Sequence, residues 1–438
     1  MRTCRHTLAA ILLAIVFCDS GAALAATTAP AVPASRDGDR GIAHAGVQWA
    51  LEDVKAVVQA ANVEWAQAKV AVQIAPGKDL KEEGFRLAIA GDQVTVTGGD
   101  TSGAMYGLLE LAEQIRNGGA RGDWKKVVAT LSATKQEPAV QFRASNPFIH
   151  TYPHLLLDDV EMWKGYIDML ARNRFNVLDL HGGYEYKSGF GFPNLYPMLV
   201  QVKEYPTVGK PDQQAKNLKN FRAIAAHAHA RGLKVAFMNY EAGGNGAPTS
   251  QLADYTAKAV STLLREMPEL DMLGFRVGES GQPAEFFKDA YLKGFTDSGR
   301  KDVRLYSRSW LTTQAALEAI GRAANNGFDI EIKYNGEQLG LPYHAIQAGG
   351  ASYSYEGYIR NDAPYQIIWQ VRADGTHRFW AWENTDFIRR CVGTFALGQA
   401  RGFSVEPSFS YYPVTAATYY ANPEDQKVPG AGLASNPT

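Results

Sequence analysis

The chain has 438 residues, 46% hydrophobic and 20% charged, a balance that supports buried cores and excludes a disordered chain. Lys and Arg number 44 against 45 Asp and Glu, which excludes polyanion binding through bulk charge, nucleic acid included. The length suits one barrel of about 250 residues with a smaller domain beside it.

Residues 1–25 read as a cleavable export signal. Arg2 and Arg5 precede an apolar run from Leu8 to Phe17, and small residues follow up to Ala23-Leu24-Ala25. The run is too short to span a bilayer, and Phe17 is too bulky for lipid attachment at Cys18. No later segment is long and apolar enough to be transmembrane, so a secreted or periplasmic protein free of the membrane is expected. Cleavage removes Cys4 and Cys18, which leaves Cys391 alone and no internal disulfide. Residues 26–41 are small, polar and Pro-containing, as in a linker.

Residues 42–138 form a small α+β domain. Apolar and polar residues alternate over 85–89 and 93–97 around Gly91-Asp92, which predicts a hairpin. Gly98-Gly99-Asp100 then turns the chain into a helix with Met105, Leu108, Leu109 and Leu111 on its apolar face. Gly103 belongs to the turn before that helix and is not a phosphate cradle. With no catalytic cluster in sight, this domain reads as structural support.

Over 139–412 short β-rich runs alternate with amphipathic helices. The strand runs are FRASNPFIH, NVLDLHGG, LKVAFMNYE, MLGFRVGE, VRLYSRSW, FDIEIKYNGE, QIIWQVR and FSVEPS. Helices fall at about 158–172, 217–230, 251–267, 284–295, 312–325 and 386–397. Eight strands alternating with helices predict parallel pairing and closure, a (β/α)8 TIM barrel behind the small domain. No Gly-rich loop follows the first strand, which argues against a doubly wound sheet. Residues 413–438 are a Pro/Gly/Ala-rich tail.

In such a barrel the reactive groups stand at the carboxyl ends of the strands. Those ends carry His150, His181, Glu241, Glu279, Arg308 with Trp310, Lys333 with Asn335 and Glu337, Arg372 and Glu406. Four are carboxylates, and hydrolysing a glycosidic bond takes one carboxylic acid and one carboxylate. Glu279, between glycines in GFRVGESGQP, is the sharpest candidate for the acid; the bland alternative is a rim ion pair with Arg276. Glu406 and Glu337 are candidates for the second carboxylate, against a structural ion pair and a solvated turn. Glu241, ahead of Gly243-Gly244, leans towards a loop role. His150 and His181 suit sugar hydroxyls or hydrogen bonds at the rim. No metal set stands out, since His227 and His229 lie two apart on a helix and cannot face one ion, and no cofactor is expected. Arg276, Arg308, Lys333 and Arg372 near strand ends suit a carboxylate-bearing sugar, against salt bridges to nearby Glu. Trp310 suits stacking on a ring face, or the core.

The segment LGFRVGESGQPAEFF resembles the general-acid region of the glycoside hydrolase family 67 α-glucuronidases, with Glu279 followed by Ser280 and then Gly281-Gln282-Pro283. VRLYSRSW is similar to that family's fifth barrel strand. IEIKYNGEQ is similar to its Ile-Lys-Asn-Gly segment, where Lys333, Asn335 and Gly336 keep the pattern and Glu337 is the acidic residue on hand. At the seventh strand Arg372 stands where the family has a second essential glutamate. The hairpin–helix unit resembles the domain before the barrel in these enzymes and in family 20 hexosaminidases. The resemblance implies metal-free, inverting release of a terminal glucuronic or related uronic acid, the two carboxyl groups about 6.5–9.5 Å apart. It implies Glu279 as acid, Glu337 or Glu406 as base, and His181, Glu241, Arg276, Arg308, Trp310, Lys333, Asn335 and Arg372 around the sugar. It also implies a helical domain after the barrel, which NPEDQKVPGAGLASNPT does not supply, as in a divergent or truncated relative. Two alternatives stand beside it. A family 20-like hexosaminidase would place an Asp before its acid, where this chain has Gly278. A carbohydrate-binding barrel without catalysis would pair Glu279 to Arg, away from the cavity.

Overall fold

A computed structural model describes residues 41–77, 79–149, 156–182, 193–334, 356–371 and 385–406. The expected signal, most of the linker and the tail lie outside these residues, as do His150, Asn335, Glu337 and Arg372. The chain forms two units that divide near Ala139.

The first unit packs helices on a four-stranded sheet. Helix α1 (Ala45–Ala60) opens it, followed by β1 (Lys69–Ile74), β2 (Phe85–Ala90) and β3 (Gln93–Gly98). Helix α2 (Thr101–Gly118), the short α3 (Trp124–Val128) and β4 (Thr134–Gln136) complete it. The sheet order is β1-β3-β2-β4, with β1 parallel to β3 and the other pairs antiparallel. The predicted hairpin is β2–β3. Val47, Ala50, Val54 and Val58 line one face of α1 at helical spacing, and with Leu108, Leu111 and Ile115 of α2 they cover Phe85, Leu87, Val94 and Val96. Gly103 lies inside α2 rather than ahead of it, because Asp100 caps the helix and accepts the Gly103 N–H at 2.7 Å. The other oxygen of Asp100 accepts the Glu83 N–H at 2.9 Å. Asp100→Ala orphans both donors, and we expect a loss of about 2 kcal/mol in urea unfolding. A midpoint equal to that of the parent chain would remove Asp100 from the account of this unit.

The second unit is a closed (β/α)8 barrel. Its first strand comes in two pieces, β5 (Phe142–Ser145) and β6 (Phe148–Ile149), both parallel to β7 (Val177–Gly182). The break falls at Asn146-Pro147, where proline has no N–H for the ladder. Helix α4 (Val160–Arg172) crosses from β6 to β7. Helices α5 (Tyr196–Leu199) and α6 (Pro211–Ala230) lead to β8 (Lys234–Asn239), and α7 (Leu252–Glu266) leads to β9 (Met272–Phe275). Then come α8 (Ala284–Ser298), β10 (Arg304–Arg308), α9 (Gln314–Ala323) and β11 (Phe328–Lys333). β12 (Gln366–Val371), α10 (Thr385–Thr394) and β13 (Gly402–Val405) end the described barrel. Every barrel pairing is parallel, and β13 pairs with β5 to close the ring.

Helix α6 begins six residues before the predicted Asn217. Its first turns carry no apolar stripe and are packed through amides instead. Gln214 donates to the carbonyls of Pro197 and Val200, both at 2.9 Å, and Asn217 donates to that of Met198 at 2.8 Å.

Period two divides the barrel interior into an apolar and a polar half. Phe142, Ala144, Val177, Ala236, Met272 and Ile368 belong to one cluster, which Phe148, Met238, Tyr240 and Tyr306 continue towards the carboxyl ends. Towards the carboxyl ends, Asp179, His181, Tyr240, Tyr306, Arg308, Glu331 and Gln370 meet one another across the ring. At the opposite end Arg304, Asp329 and Arg401 form a buried ion cluster.

Candidate active site

The polar half is built from the last inward-facing residue of each strand and the residues just beyond. Arg276 follows β9 and is 2% exposed, its guanidinium 4.4 Å from the Tyr240 ring centre. It donates to Glu279 Oε2 at 3.0 Å. Glu279 has φ +67°, a left-handed conformation that costs a non-glycine residue energy and that clusters at functional sites. Its side chain is 42% exposed. Gly278 is needed beside it: a Cβ there would overlap the carbonyl oxygen of Trp310 in the next loop. Leu311, in that loop, is also left-handed at φ +50°. Glu279, Gln282, Pro283, Glu285, Leu311 and Thr313 border an open depression of about 440 Å³.

Arg308, the last residue of β10, donates to the Tyr240 hydroxyl and to Gln370 Oε1, both at 2.7 Å. Its Nε lies 3.8 Å from Glu331 Oε2. Tyr240 thus stands between two arginines, stacked under one and bonded to the other. Lys333, the last residue of β11, holds its Nζ 3.1 Å from the ring centre of Trp310. Cations therefore end three consecutive strands, β9, β10 and β11.

His181 is fully buried, with Nδ1 2.8 Å from the Tyr240 hydroxyl. Its Nε2 lies 3.1 Å from Asp179 Oδ2 and 3.6 Å from Glu331 Oε2. Burial disfavours the imidazolium, but Asp179, Tyr240 and Glu331 outweigh it and push the ring well above the usual histidine range. Burial also raises Glu331 above the ordinary carboxylate range. Tyr306, its phenol raised further by burial, donates to Asp179 Oδ1 at 2.6 Å.

Glu241 turns into its own loop, accepting the N–H groups of Ala242 at 2.8 Å and Gly243 at 3.1 Å, while burial raises its carboxyl. Glu406 follows β13, is fully buried, and donates its backbone N–H to Val371 at 3.0 Å. The geometry therefore joins Arg276 to Glu279, Arg308 to His181 through Tyr240, and Lys333 to Trp310. Glu241 makes its hydrogen bonds within its own loop, while the charge of Arg276 still reaches its carboxylate. Asp179, Tyr240, Tyr306, Glu331 and Gln370 escaped the reading of strand ends. The signal for Asp179 and Glu331 was the alternation in NVLDLH and FDIEIK, which puts Asp179 beside His181 and Glu331 beside Lys333 on one strand face.

The profile of glycosyl hydrolase family 20, domain 2, matches residues 23–131. No curated protein matches the chain. Among solved structures, a glycoside hydrolase family 138 enzyme targeting pectin rhamnogalacturonan II is similar at 21% identity and a TM-score of 0.66. That likeness covers 84% of this chain and 46% of the enzyme, so the chain spans about half the length of that structure. A family 20 β-N-acetylglucosaminidase is similar at 16% identity and a TM-score of 0.49, over 82% of this chain and 80% of that one. The family 20 β-N-acetylhexosaminidase of Streptomyces coelicolor A3(2) is similar at 14% identity and 0.47, over 89% and 88%. The chain thus has a (β/α)8 barrel fold similar to that of a solved glycoside hydrolase, behind a segment that matches the family 20 domain 2 profile.

Proposed function

We propose that the chain is an exported glycoside hydrolase that releases a terminal uronic acid from an oligo- or polysaccharide, in the manner of an α-glucuronidase. One observation carries this reading: Arg276, Arg308 and Lys333 end three neighbouring strands, and the first of them holds Glu279. Guanidinium groups suit a sugar carboxylate, which takes two parallel N–H bonds. The family 138 enzyme's named target, a rhamnogalacturonan, is itself a uronic-acid glycan, which supports the same class of substrate.

In this reading the sugar carboxylate accepts from Arg276 and releases Glu279 Oε2. Glu279 then faces the glycosidic oxygen and gives it a proton as the bond to the anomeric carbon breaks. A second carboxylate takes a proton from the water that attacks the opposite face. Glu406, buried at the end of β13, and Glu337 are the two candidates for that base. Lys333, its Nζ 3.1 Å over the centre of the Trp310 ring, offers the sugar a cation at that ring face. The signal-like residues 1–25 support export.

The hexosaminidase alternative needs an Asp at position 278. Any side chain there meets the carbonyl of Trp310, which weighs against it. The Arg276–Glu279 pair is the one the binding-only alternative predicts, whereas the place of Glu279 on the border of the open depression favours the hydrolase, so turnover decides between them. The test is release of uronic acid from a uronic-acid-capped oligosaccharide, set against the same compound as its methyl ester. We expect the free acid to be hydrolysed and the ester to lose at least about 100-fold in kcat/KM, the effect of roughly 3 kcal/mol of charge-assisted hydrogen bonding. Equal turnover of acid and ester would remove the carboxylate from recognition. Binding of the acid with no release would favour the binding barrel.

A further inference from the structure

We propose that Asp179, His181 and Glu331 form a binding site for a divalent metal ion of the zinc class inside the barrel. The inference does not depend on the hydrolase reading. The three residues are 1%, 0% and 1% exposed, and one ligand atom from each lies within 4.8 Å of the others. In tetrahedral coordination at about 2.1 Å, neighbouring ligand atoms stand about 3.4 Å apart. The separations here, 3.1 Å from His181 Nε2 to Asp179 Oδ2 and 3.6 Å from His181 Nε2 to Glu331 Oε2, bracket that edge.

The inward atoms are also the ones to which the rest of the protein gives no hydrogen bond. Asp179 Oδ2, His181 Nε2 and both carboxylate oxygens of Glu331 are buried and have no hydrogen-bond partner outside the three residues. Such atoms are costly to bury unless something compensates them. The outward atoms, by contrast, are held. Tyr306 donates to Asp179 Oδ1 at 2.6 Å, and His181 Nδ1 sits 2.8 Å from the Tyr240 hydroxyl. Outer partners that fix a carboxylate and the far nitrogen of an imidazole are the usual support of a metal ligand set. The two carboxylates supply the negative charge a dication needs, and the cation nearest them in the structure, Arg308, has its Nε 3.8 Å from Glu331 Oε2, outside coordination distance. The imidazole nitrogen among the donors favours zinc over magnesium or calcium, which take oxygen. The rival occupant of the space is a proton on His181.

An ion here ties β7 to β11, which stand on opposite sides of the ring. The strand alternation that joins the three residues is invisible to a search for histidine spacing on a helix, which is why no metal set stood out in the sequence.

The experiment strips the full, tag-free chain with chelator, adds zinc chloride alone, and measures bound metal after dialysis together with the melting temperature. We expect one retained zinc and a higher melting temperature. Glu331→Gln should weaken retention by roughly 100-fold, and the milder Tyr306→Phe, which removes an outer partner, by roughly 10-fold. X-ray absorption on the zinc-loaded parent chain should show a nitrogen and oxygen shell at about 2.0–2.1 Å, a readout that needs no variant to fold. Three results overturn the site: no retained zinc, equal retention by Glu331→Gln, or ¹⁵N shifts showing His181 as an imidazolium that zinc leaves unchanged. Magnesium or calcium binding in place of zinc overturns the assigned class.

Discussion

Glu279→Gln should lower kcat on a uronic-acid-capped oligosaccharide by about 10²–10⁴-fold, the usual contribution of a positioned general acid. Gln is nearly isosteric, and its amide oxygen can still accept from Arg276, which now bonds Glu279 Oε2 at 3.0 Å. Melting temperature and KM should therefore change little, which separates loss of the proton from loss of the loop. The decisive comparison uses two leaving groups. A sugar alcohol departs poorly without a proton, whereas fluoride or a nitrophenolate departs readily without one. If Glu279 is the acid, the substitution costs far less on the activated uronosyl compound than on the oligosaccharide. An equal loss on both would make Glu279 a positioning residue acting through Arg276. No loss on either would remove it from the mechanism.

The barrel was legible because its signals are local. Each strand is a short apolar or alternating run closed by polar or turn residues; seven of the eight predicted runs contain the observed strands whole, and FSVEPS misses only Gly402. Helix α6 shows where local signals end. Its first turns are held by Gln214 and Asn217 reaching carbonyls of the preceding segment, so no apolar period marks them. Glu279, Arg276, Arg308, Trp310 and Lys333 were visible because they sit at or just past strand ends. Their pairing was not, since Tyr240 stacks under Arg276 while bonding Arg308 and His181, contacts set by ring closure between strands far apart in sequence. Asp179 and Glu331 lie one pleat deeper, where the expected barrel filling is branched and apolar. Only the closed ring shows that polar residues from β7 and β11 meet there.

The other end of the barrel makes the opposite prediction: a large effect on stability and none on chemistry. Asp329 is fully buried at the start of β11 and accepts two hydrogen bonds from Arg304, from Nε and Nη2, each at 2.7 Å. Arg401 bonds the same carboxylate, and Arg304 also donates to Gln366 at 3.0 Å. One carboxylate thus compensates two guanidinium groups that are 20% and 9% exposed. Asp329→Ala leaves both cations near the barrel floor with their shared partner gone. Breaking a buried pair from one side costs about 3–5 kcal/mol, and a barrel of this size loses roughly 10 °C of melting temperature for it. Replacing the arginines as well, in Arg304→Met with Asp329→Leu and Arg401→Met, should recover much of that loss, because the penalty comes from the orphaned charge and not from the missing attraction. Below its unfolding transition, Asp329→Ala should keep the kcat of the parent chain, since the floor touches no substrate. Undiminished stability in the single variant would show that solvent screens the floor charges. A lower kcat in the folded variant would show that the polar half of the barrel depends on the floor for its geometry.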